Sequence, residues 1–398
     1  MAQQTEQRGS LSFENTEIAF RGKSNRDLDK AYWLFKIIGS NLLTKVGPPI
    51  TNFALHIGLP ITGLIRNTIF NHFCGGETIE GCVTAVNRLA DQRVETILDY
   101  SVEGEDAEPV FDETCNEILR TIEYAQRNPH ISFSVFKPTG LGRFALFEKV
   151  NAKIPLSKNE EQEYIRIKHR IDRICKACHN GNIRVLIDAE HSWIQDAIDD
   201  IARDMMRAYN RAAPVVYNTY QLYRTDKLAS LQADYYLAET DGFFLGAKLV
   251  RGAYMEIERE RAEARGYISP IQPNKEATDR DYNLAVRFCL DRINRIGMMA
   301  GTHNESSCRL LAEEIDNRQL SRNHPNIHFA QLLGMSDNLS FNLAEAGYQV
   351  AKYMPYGPVK AVMPYLFRRA QENTSVAGQT GRELSLITKE KKRRKLSK

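Results

Sequence analysis

The chain lacks a long apolar run. Its longest stretch free of Asp, Glu, Lys and Arg is Val46–Ile65, and that stretch contains Pro48, Pro49, Pro60, Asn52 and His56. Proline breaks helix hydrogen bonding and the polar side chains resist hydrocarbon, so a spanning helix is not expected. A pair of amphipathic segments resting on a membrane surface stays open. The start of the chain has no secretory signal, and it carries Glu6, Glu14, Glu17, Asp27 and Asp29, unlike an acid-poor transit peptide. Cysteine is sparse and unpatterned: seven residues, at 74, 82, 115, 175, 178, 289 and 308, an odd set that fits reduced thiols better than a disulfide framework. A cytoplasmic location follows as the expectation. Charge of one sign is lacking as well. The net charge is +3, but Lys389 to Lys398 alone carries +6, which leaves −3 on the remainder and no sign of a nucleic-acid-binding body. The tail itself is expected to be solvated and disordered, with a patch for anionic lipid or nucleic acid as its alternative.

What is present is ordinary globular material. A 398-residue chain with 42% hydrophobic and 26% charged residues can bury a large core, as two or three domains or as one α/β barrel with an appendage. Residues 1–25 are expected to be mobile. Arg26–Lys45 reads as a helix with Leu28, Ala31, Leu34, Phe35 and Ile38 on one face, Thr51–Phe73 as one or two more broken near Pro60, and Val83–Gln92 as another.

Beyond residue 94 the pattern alternates. Short β-rich runs at Val94–Tyr100, His130–Phe136, Ile183–Asp188, Val215–Gln221, Phe243–Val250, Gly297–Gly301, Ile327–Leu332 and Gln349–Met354 are each followed by an amphipathic stretch. Those stretches are Glu113–Arg127, Asn159–His179, Trp193–Asn210, Lys227–Thr240, Asp279–Arg295, Glu305–Arg318, Asn338–Ala346 and Val359–Asn373. Eight such units predict a (β/α)8 barrel, typically ~250 residues, with a doubly wound open sheet as the alternative. The expected division is an N-terminal helical extension over 1–90, a barrel over 91–378 and a basic tail over 379–398. Polar groups at seven of the eight strand ends favour the barrel: Lys137, Asp188, Gln221, Lys248 with Arg251 and Tyr254, Thr302 with His303 and Asn304, Gln331, and Tyr353. Each would cost desolvation without a pocket to serve.

Several motifs compete with plainer readings. In the last helix Tyr365, Arg368, Arg369 and Glu372 share one face, as a carboxylate grip or as a surface Arg368/Glu372 pair. Gly140-Leu-Gly142-Arg-Phe-Ala145 matches a dinucleotide turn, but Pro138 precedes it and a flexible barrel loop is the better expectation. Cys175-Lys-Ala-Cys178-His179 has the spelling of a haem attachment site yet closes a charged helix, where His and the following Asn180-Gly181-Asn182 suit a C-terminus. Asp188-Ala-Glu190-His191 offers metal-ligand types, but strand alternation turns neighbours to opposite faces, so Asp188 is expected to face the pocket without a metal. Lys248 at a strand end admits a Schiff-base lyase reading.

Three stretches together resemble the proline dehydrogenase family: Ala247-Lys-Leu-Val-Arg-Gly-Ala-Tyr254, Gly301-Thr-His-Asn304, and Tyr353 through Arg368-Arg369-Ala-Gln-Glu-Asn373. The similarity covers roughly residues 90–375 and is nearer to the single-function, eukaryotic-like enzymes than to the large bifunctional bacterial ones. It implies a (β/α)8 barrel holding FAD at the strand C-termini, oxidation of L-proline to Δ1-pyrroline-5-carboxylate, a membrane quinone as electron acceptor, peripheral contact with the inner face of the cytoplasmic membrane, and coupling to a pyrroline-5-carboxylate dehydrogenase. By resemblance, Arg368 and Arg369 hold the substrate carboxylate with Lys137 nearby, Tyr353, Tyr365, Tyr254 and Leu332 form the pocket, and Asp188 bonds Tyr353. Gln221, Lys248, Val250, Arg251, Gly252, Lys275, Thr302, His303, Asn304, Gln331 and Glu372 fall on the flavin side. Lys248 and Arg251 stand swapped relative to the bifunctional branch, and Met255 replaces its Trp. Tyr353 implies proline over 4-hydroxyproline, because hydroxyproline-specialised members lack that tyrosine.

Overall fold

The structure, a computed structural model, describes residues 11–38, 62–102, 106–368 and 379–396. Within them eight parallel strands close into a barrel in chain order. They are β1 (Glu95–Tyr100), β2 (Ile131–Phe136), β3 (Arg184–Ile187), β4 (Val216–Gln221), β5 (Leu245–Val250), β6 (Ile296–Gly301), β7 (Ile327–Leu332) and β8 (Val350–Tyr356). Each expected strand appears, to within two residues at either end. The barrel is closed by the pairing of β1 with β8, which sets Ile97 beside Tyr353.

The two faces of each strand divide the core. Ile97, Phe133, Val135, Leu186, Tyr217, Met299, Ala330, Ala351 and Tyr353 point inward, and the alternate positions pack under the surrounding helices. Tyr217 needs room to lie inside: a Cβ on Gly297 would come within 2.3 Å of its hydroxyl, so glycine there is a packing requirement.

The helices that frame the barrel and its flanking segments are α1 (Thr16–Phe20), α2 (Asn25–Ile38), α3 (Val83–Ala90), α4 (Glu108–Gln126), α5 (Phe144–Asn151), α6 (Lys158–Gly181), α7 (Ser192–Tyr209), α8 (Lys227–Asp241), α9 (Met255–Arg265), α10 (Lys275–Leu290), α11 (Glu305–Asn317), α12 (Asp337–Glu345) and α13 (Gln379–Leu396). Of the expected Thr51–Phe73 helices, residues 62–73 are helical with a π-helical turn over Arg66–Phe70, and residues 51–61 lie outside the described residues. Residues 363–368 are also helical. The Gly140–Ala145 stretch is not a flexible loop. It forms a 3-10 turn over Pro138–Gly140 and then α5, and a Cβ on Gly142 would strike Ile167 of α6 at 2.2 Å. The Cys175/Cys178 motif lies in the last turns of α6 with both thiols fully buried, and the left-handed residue that ends the helix is Asn182 rather than Gly181.

The ends of the chain differ from expectation. Residues 11–25 do not hang free: Phe13, Ala19 and Phe20 are buried. The basic tail is the helix α13, whose Leu386 and Ile387 pack with Ala19, Phe20, Leu28, Ala31 and Phe35 of α1 and α2. Its cations also meet the acids of the N-terminal segment. Arg382 and Lys389 bond Glu14, Lys391 bonds Asp29 at 2.7 Å, and Arg393 meets Glu17 at 3.4 Å. Such exposed pairs contribute only ~0–1 kcal/mol each, so burial of the apolar stripe does more than the ion pairs to dock the helix.

Candidate active site

Three strand ends meet at one hydrogen-bonded centre in the barrel mouth. Asp188 follows β3, Lys248 lies in β5 and Tyr353 in β8. The Lys248 Nζ donates to Asp188 Oδ1 at 2.6 Å and to the Tyr353 phenol oxygen at 2.7 Å, and the Tyr353 hydroxyl donates to Asp188 Oδ1 at 3.1 Å. The ammonium also stands 4.4 Å from the centroid of the Tyr353 ring. Burial, with Asp188 and Asp99 adding to it, pushes the phenol well above its ordinary range, so Tyr353 stays a proton donor. Its ring forms part of the barrel's inner wall, and Leu332, its partner in the β7–β8 register, touches both that wall and the cluster around Tyr365.

On the β5–β6 side the cations are already committed. Arg251 donates to Asp279 Oδ1 at 2.8 Å, Thr302 Oγ1 at 2.8 Å and Ser307 Oγ at 2.9 Å, and stacks 4.3 Å from the Tyr282 ring centroid. Lys275 bonds the other oxygen of Asp279. Asn304 caps α11 by accepting from Ser307 N at 2.9 Å, and its own backbone N–H reaches Thr302 Oγ1 at 3.1 Å. The start of α11, with its positive dipole end, therefore faces the turn after β6. Gln331 donates to the Thr302 carbonyl at 3.1 Å, and His303 Nδ1 lies 2.9 Å from Ser336 Oγ in the loop after β7.

The Asp188-Ala-Glu190-His191 segment splits three ways. Asp188 enters the centre just described. Glu190 turns to the loop after β2, accepting from Thr139 N at 3.0 Å and Thr139 Oγ1 at 2.6 Å, two residues beyond Lys137. Burial pushes its carboxyl up to about 7, against the pull of Thr139 and the Lys137 charge. The Glu190 carbonyl accepts from Gln221 Nε2 at 3.1 Å. His191 lies between Trp193 and Tyr254, with ring centroids 4.6 and 4.3 Å away. Burial, with the positive charges of Arg368 and Arg261 adding to it, lowers it to about 4, so the ring is neutral. Arg369 and Glu372 lie outside the described residues, and with them the arrangement of the full Arg-Arg-Glu face.

A family model described as proline dehydrogenase matches residues 82–382. The chain belongs to the proline dehydrogenase family. Among its relatives, "Proline dehydrogenase 1, mitochondrial" of Dictyostelium discoideum is 33% identical, covering 96% of this chain and 74% of that protein. The carbapenem antibiotics biosynthesis protein CarD of Pectobacterium carotovorum is 34% identical over 83% and 86% of the two chains, and the hydroxyproline dehydrogenase of Xenopus laevis is 28% identical over 97% and 91%. Among solved structures, proline utilization A from Bdellovibrio bacteriovorus superposes with a TM-score of 0.72 at 17% identity, covering 95% of this chain. This chain spans 42% of that larger protein, and the likeness establishes the shared barrel.

The lining fits the flavin on which the proline dehydrogenase family depends. Gln221 Oε1 is buried at the mouth with no hydrogen-bond donor among the described residues, and an orphaned acceptor of this kind is what a ligand N–H would satisfy. Gly252, at φ +133°, lets the backbone after β5 turn where a Cβ would lie 2.4 Å from the Tyr223 ring. Val250 Cγ1 stands 3.1 Å from where a Cβ on Gly301 would sit, so a side chain there would have to push Val250 aside by a few tenths of an ångström. Arg251, Lys275 and the start of α11 gather positive charge at the β5–β6 rim, offset in part by Asp279. Reading the strand ends could not find Ser336, Asp279 or Ser307. They reach the site from loops and helices, and nothing in their local sequence marks them.

Proposed function

We propose that this chain is an FAD-dependent L-proline dehydrogenase that converts proline to Δ1-pyrroline-5-carboxylate and passes the electrons to a quinone. The observation that carries the reading is the Asp188–Lys248–Tyr353 centre, which fixes an aromatic wall and a buried cation at the barrel mouth. Bound FAD would supply the acceptor, N5, for the hydride leaving proline C5. The chain's own task is orientation. Arg368 and Arg369 bind the proline carboxylate with Lys137 beside them, since two guanidinium forks grip one carboxylate from fixed directions. Tyr353, Tyr365, Tyr254 and Leu332 close on the ring, exclude water and hold C5 toward the flavin side. Gln221, Lys248, Val250, Arg251, Gly252, Lys275, Thr302, His303, Asn304, Gln331 and Glu372 hold the cofactor, and the Lys248 or Arg251 charge favours its reduced anionic form. The barrel over 91–378 is the catalytic unit, braced by the extension over 1–90 and the segment over 379–398.

Proline is favoured over 4-hydroxyproline because the Tyr353 ring occupies the wall against which a ring hydroxyl would press; the Xenopus relative named hydroxyproline dehydrogenase keeps the second substrate as the alternative. A Schiff-base lyase is disfavoured, since Lys248 donates to both Asp188 and Tyr353 and offers no free amine. Among the described residues no helix is long and apolar enough to cross a membrane. Peripheral contact with the inner face of the cytoplasmic membrane, where a quinone is met, and a pyrroline-5-carboxylate dehydrogenase to consume the labile product complete the proposal. Anaerobic titration tests it. FAD-reconstituted protein should be yellow and lose its visible absorbance on adding L-proline, and protein left colourless after reconstitution would end this reading.

A further inference from the structure

The loop after β7 is gripped from outside the barrel. Asp337, at the start of α12, pairs with Lys23 at 2.6 Å and Lys352 at 2.9 Å, and Lys352 Nζ also reaches the Leu332 carbonyl at 3.2 Å. His72 Nε2 lies 2.9 Å from the Gly334 carbonyl. The fourth charged member comes from α13. Glu383, 5% exposed, accepts from the backbone N–H of Ser336 at 2.6 Å. Ser336 sits at φ +51°, a left-handed backbone that costs any residue with a Cβ and that a strong acceptor on its N–H can hold. Its side chain points the other way, with Oγ 2.9 Å from His303 Nδ1. A path thus runs from a helix of the C-terminal segment through Ser336 to His303.

We propose that Glu383 is a positioning residue for the cofactor: it holds the left-handed turn at Ser336 and, through the Ser336 hydroxyl, sets the orientation of His303. This rests on the flavin reading above, because His303 matters only if a cofactor lies beside it. Glu383 falls one residue beyond the stretch that the family model matches. The carboxylate is held in a nearly neutral setting by Lys23 and Lys352 against Asp337. Burial, with Asp337 adding, pushes it up to about 7 while the Ser336 N–H and the two lysines oppose.

The test uses the full chain and two readouts, one of them independent of activity. Hydrogen exchange in the apo protein reports the Ser336 amide within a 333–340 peptide, and a binding titration reports FAD affinity. Glu383→Ala should speed exchange of that peptide about tenfold and weaken FAD about fivefold, the scale of one lost hydrogen bond. Its KM for proline should stay within about twofold, because the substrate side is untouched. Glu383→Gln, which keeps an acceptor oxygen, should restore both readouts. Ser336→Gly removes the hydroxyl while tolerating the left-handed backbone, so it should weaken FAD by a similar factor with exchange near wild type. It also carries the test if Glu383→Ala does not fold. Unchanged exchange in Glu383→Ala, or wild-type FAD affinity in Ser336→Gly, overturns the inference. Wild-type protein that takes up no FAD instead overturns the functional reading on which it stands, and the exchange arm still reads the Glu383–Ser336 contact.

Discussion

Removing the Asp188 charge should expose how far the central ammonium depends on it. Lys248 and Asp188 have side chains only 8% and 15% exposed, and their 2.6 Å contact is shared with the Tyr353 phenol. Breaking one half of a buried pair typically costs ~3–5 kcal/mol, because the remaining charge loses its compensation in a poor solvent. The pair lies at an open mouth, so ~2–3 kcal/mol is the appropriate scale for Asp188→Asn. For a chain of this size, with an unfolding entropy of ~2.1 cal/mol/K per residue, ~1 kcal/mol moves the melting temperature by ~1–2 °C, which places the drop at about 2–6 °C. Lys248→Met leaves the carboxylate with the Tyr353 hydroxyl and should cost about as much. The double variant removes both charges and should fall short of the sum by ~1–3 kcal/mol. Urea unfolding of the four apo proteins measures the cycle. Costs that add to within ~0.5 kcal/mol would refute the claim that these groups form one electrostatic unit.

Other expectations follow from the same geometry. Arg368→Met and Arg369→Met should each raise the proline KM about 30-fold or more, the ~2 kcal/mol or greater lost when a charged donor leaves a desolvated carboxylate; an unchanged KM in both removes the carboxylate assignment. Tyr353→Ser should raise kcat/KM for 4-hydroxyproline relative to proline about tenfold, and an unmoved ratio would deny Tyr353 its part in substrate choice. Glu190 gives a pH signature. Its folded pKa is raised to about 7 from 4.5, so its contribution to stability is complete below pH 4.5 and is lost as pH rises through 7. Glu190→Gln should therefore lose less stability than the parent between pH 5 and pH 8, by about 2–3 kcal/mol from urea midpoints, and identical slopes would refute the assignment.

The barrel was legible because its strands carry two independent signals, β-rich composition and a polar residue at the exit. Helices with a clear apolar stripe were equally plain. Two were not. Met255–Arg265 is charged nearly all round, with Glu258 buried against Ser192 and Arg261 stacked 4.1 Å from the Trp193 ring centroid, so its inner face is polar and periodicity says nothing. Phe144–Asn151 is only two turns long and follows a glycine-rich stretch that reads as a loop, and its start is set by packing of Gly142 on Ile167. Helix starts shifted where the cap was overlooked. Asn274 accepts from Ala277 N at 2.8 Å and so begins α10 at Lys275, four residues before the expected start.

The residues at the exits of the strands, among them Asp188, Lys248, Tyr353 and Thr302, could be named from the chain alone, because a closed parallel barrel sends every strand's C-terminal end to one mouth. What they do to one another could not. That Lys248 bonds both Asp188 and Tyr353, residues 60 and 105 positions away, depends on the register of three strands. The C-terminal segment makes the sharper case. Its run of Lys and Arg reads as a solvated tail, since Glu390 is the one acid within it and leaves a net +6. Folding brings Glu14, Glu17 and Asp29 to its cations and the apolar faces of α1 and α2 to Leu386 and Ile387. Charge along a chain is a local property, whereas compensation of that charge belongs to contacts hundreds of residues apart, and only the packed fold supplies them.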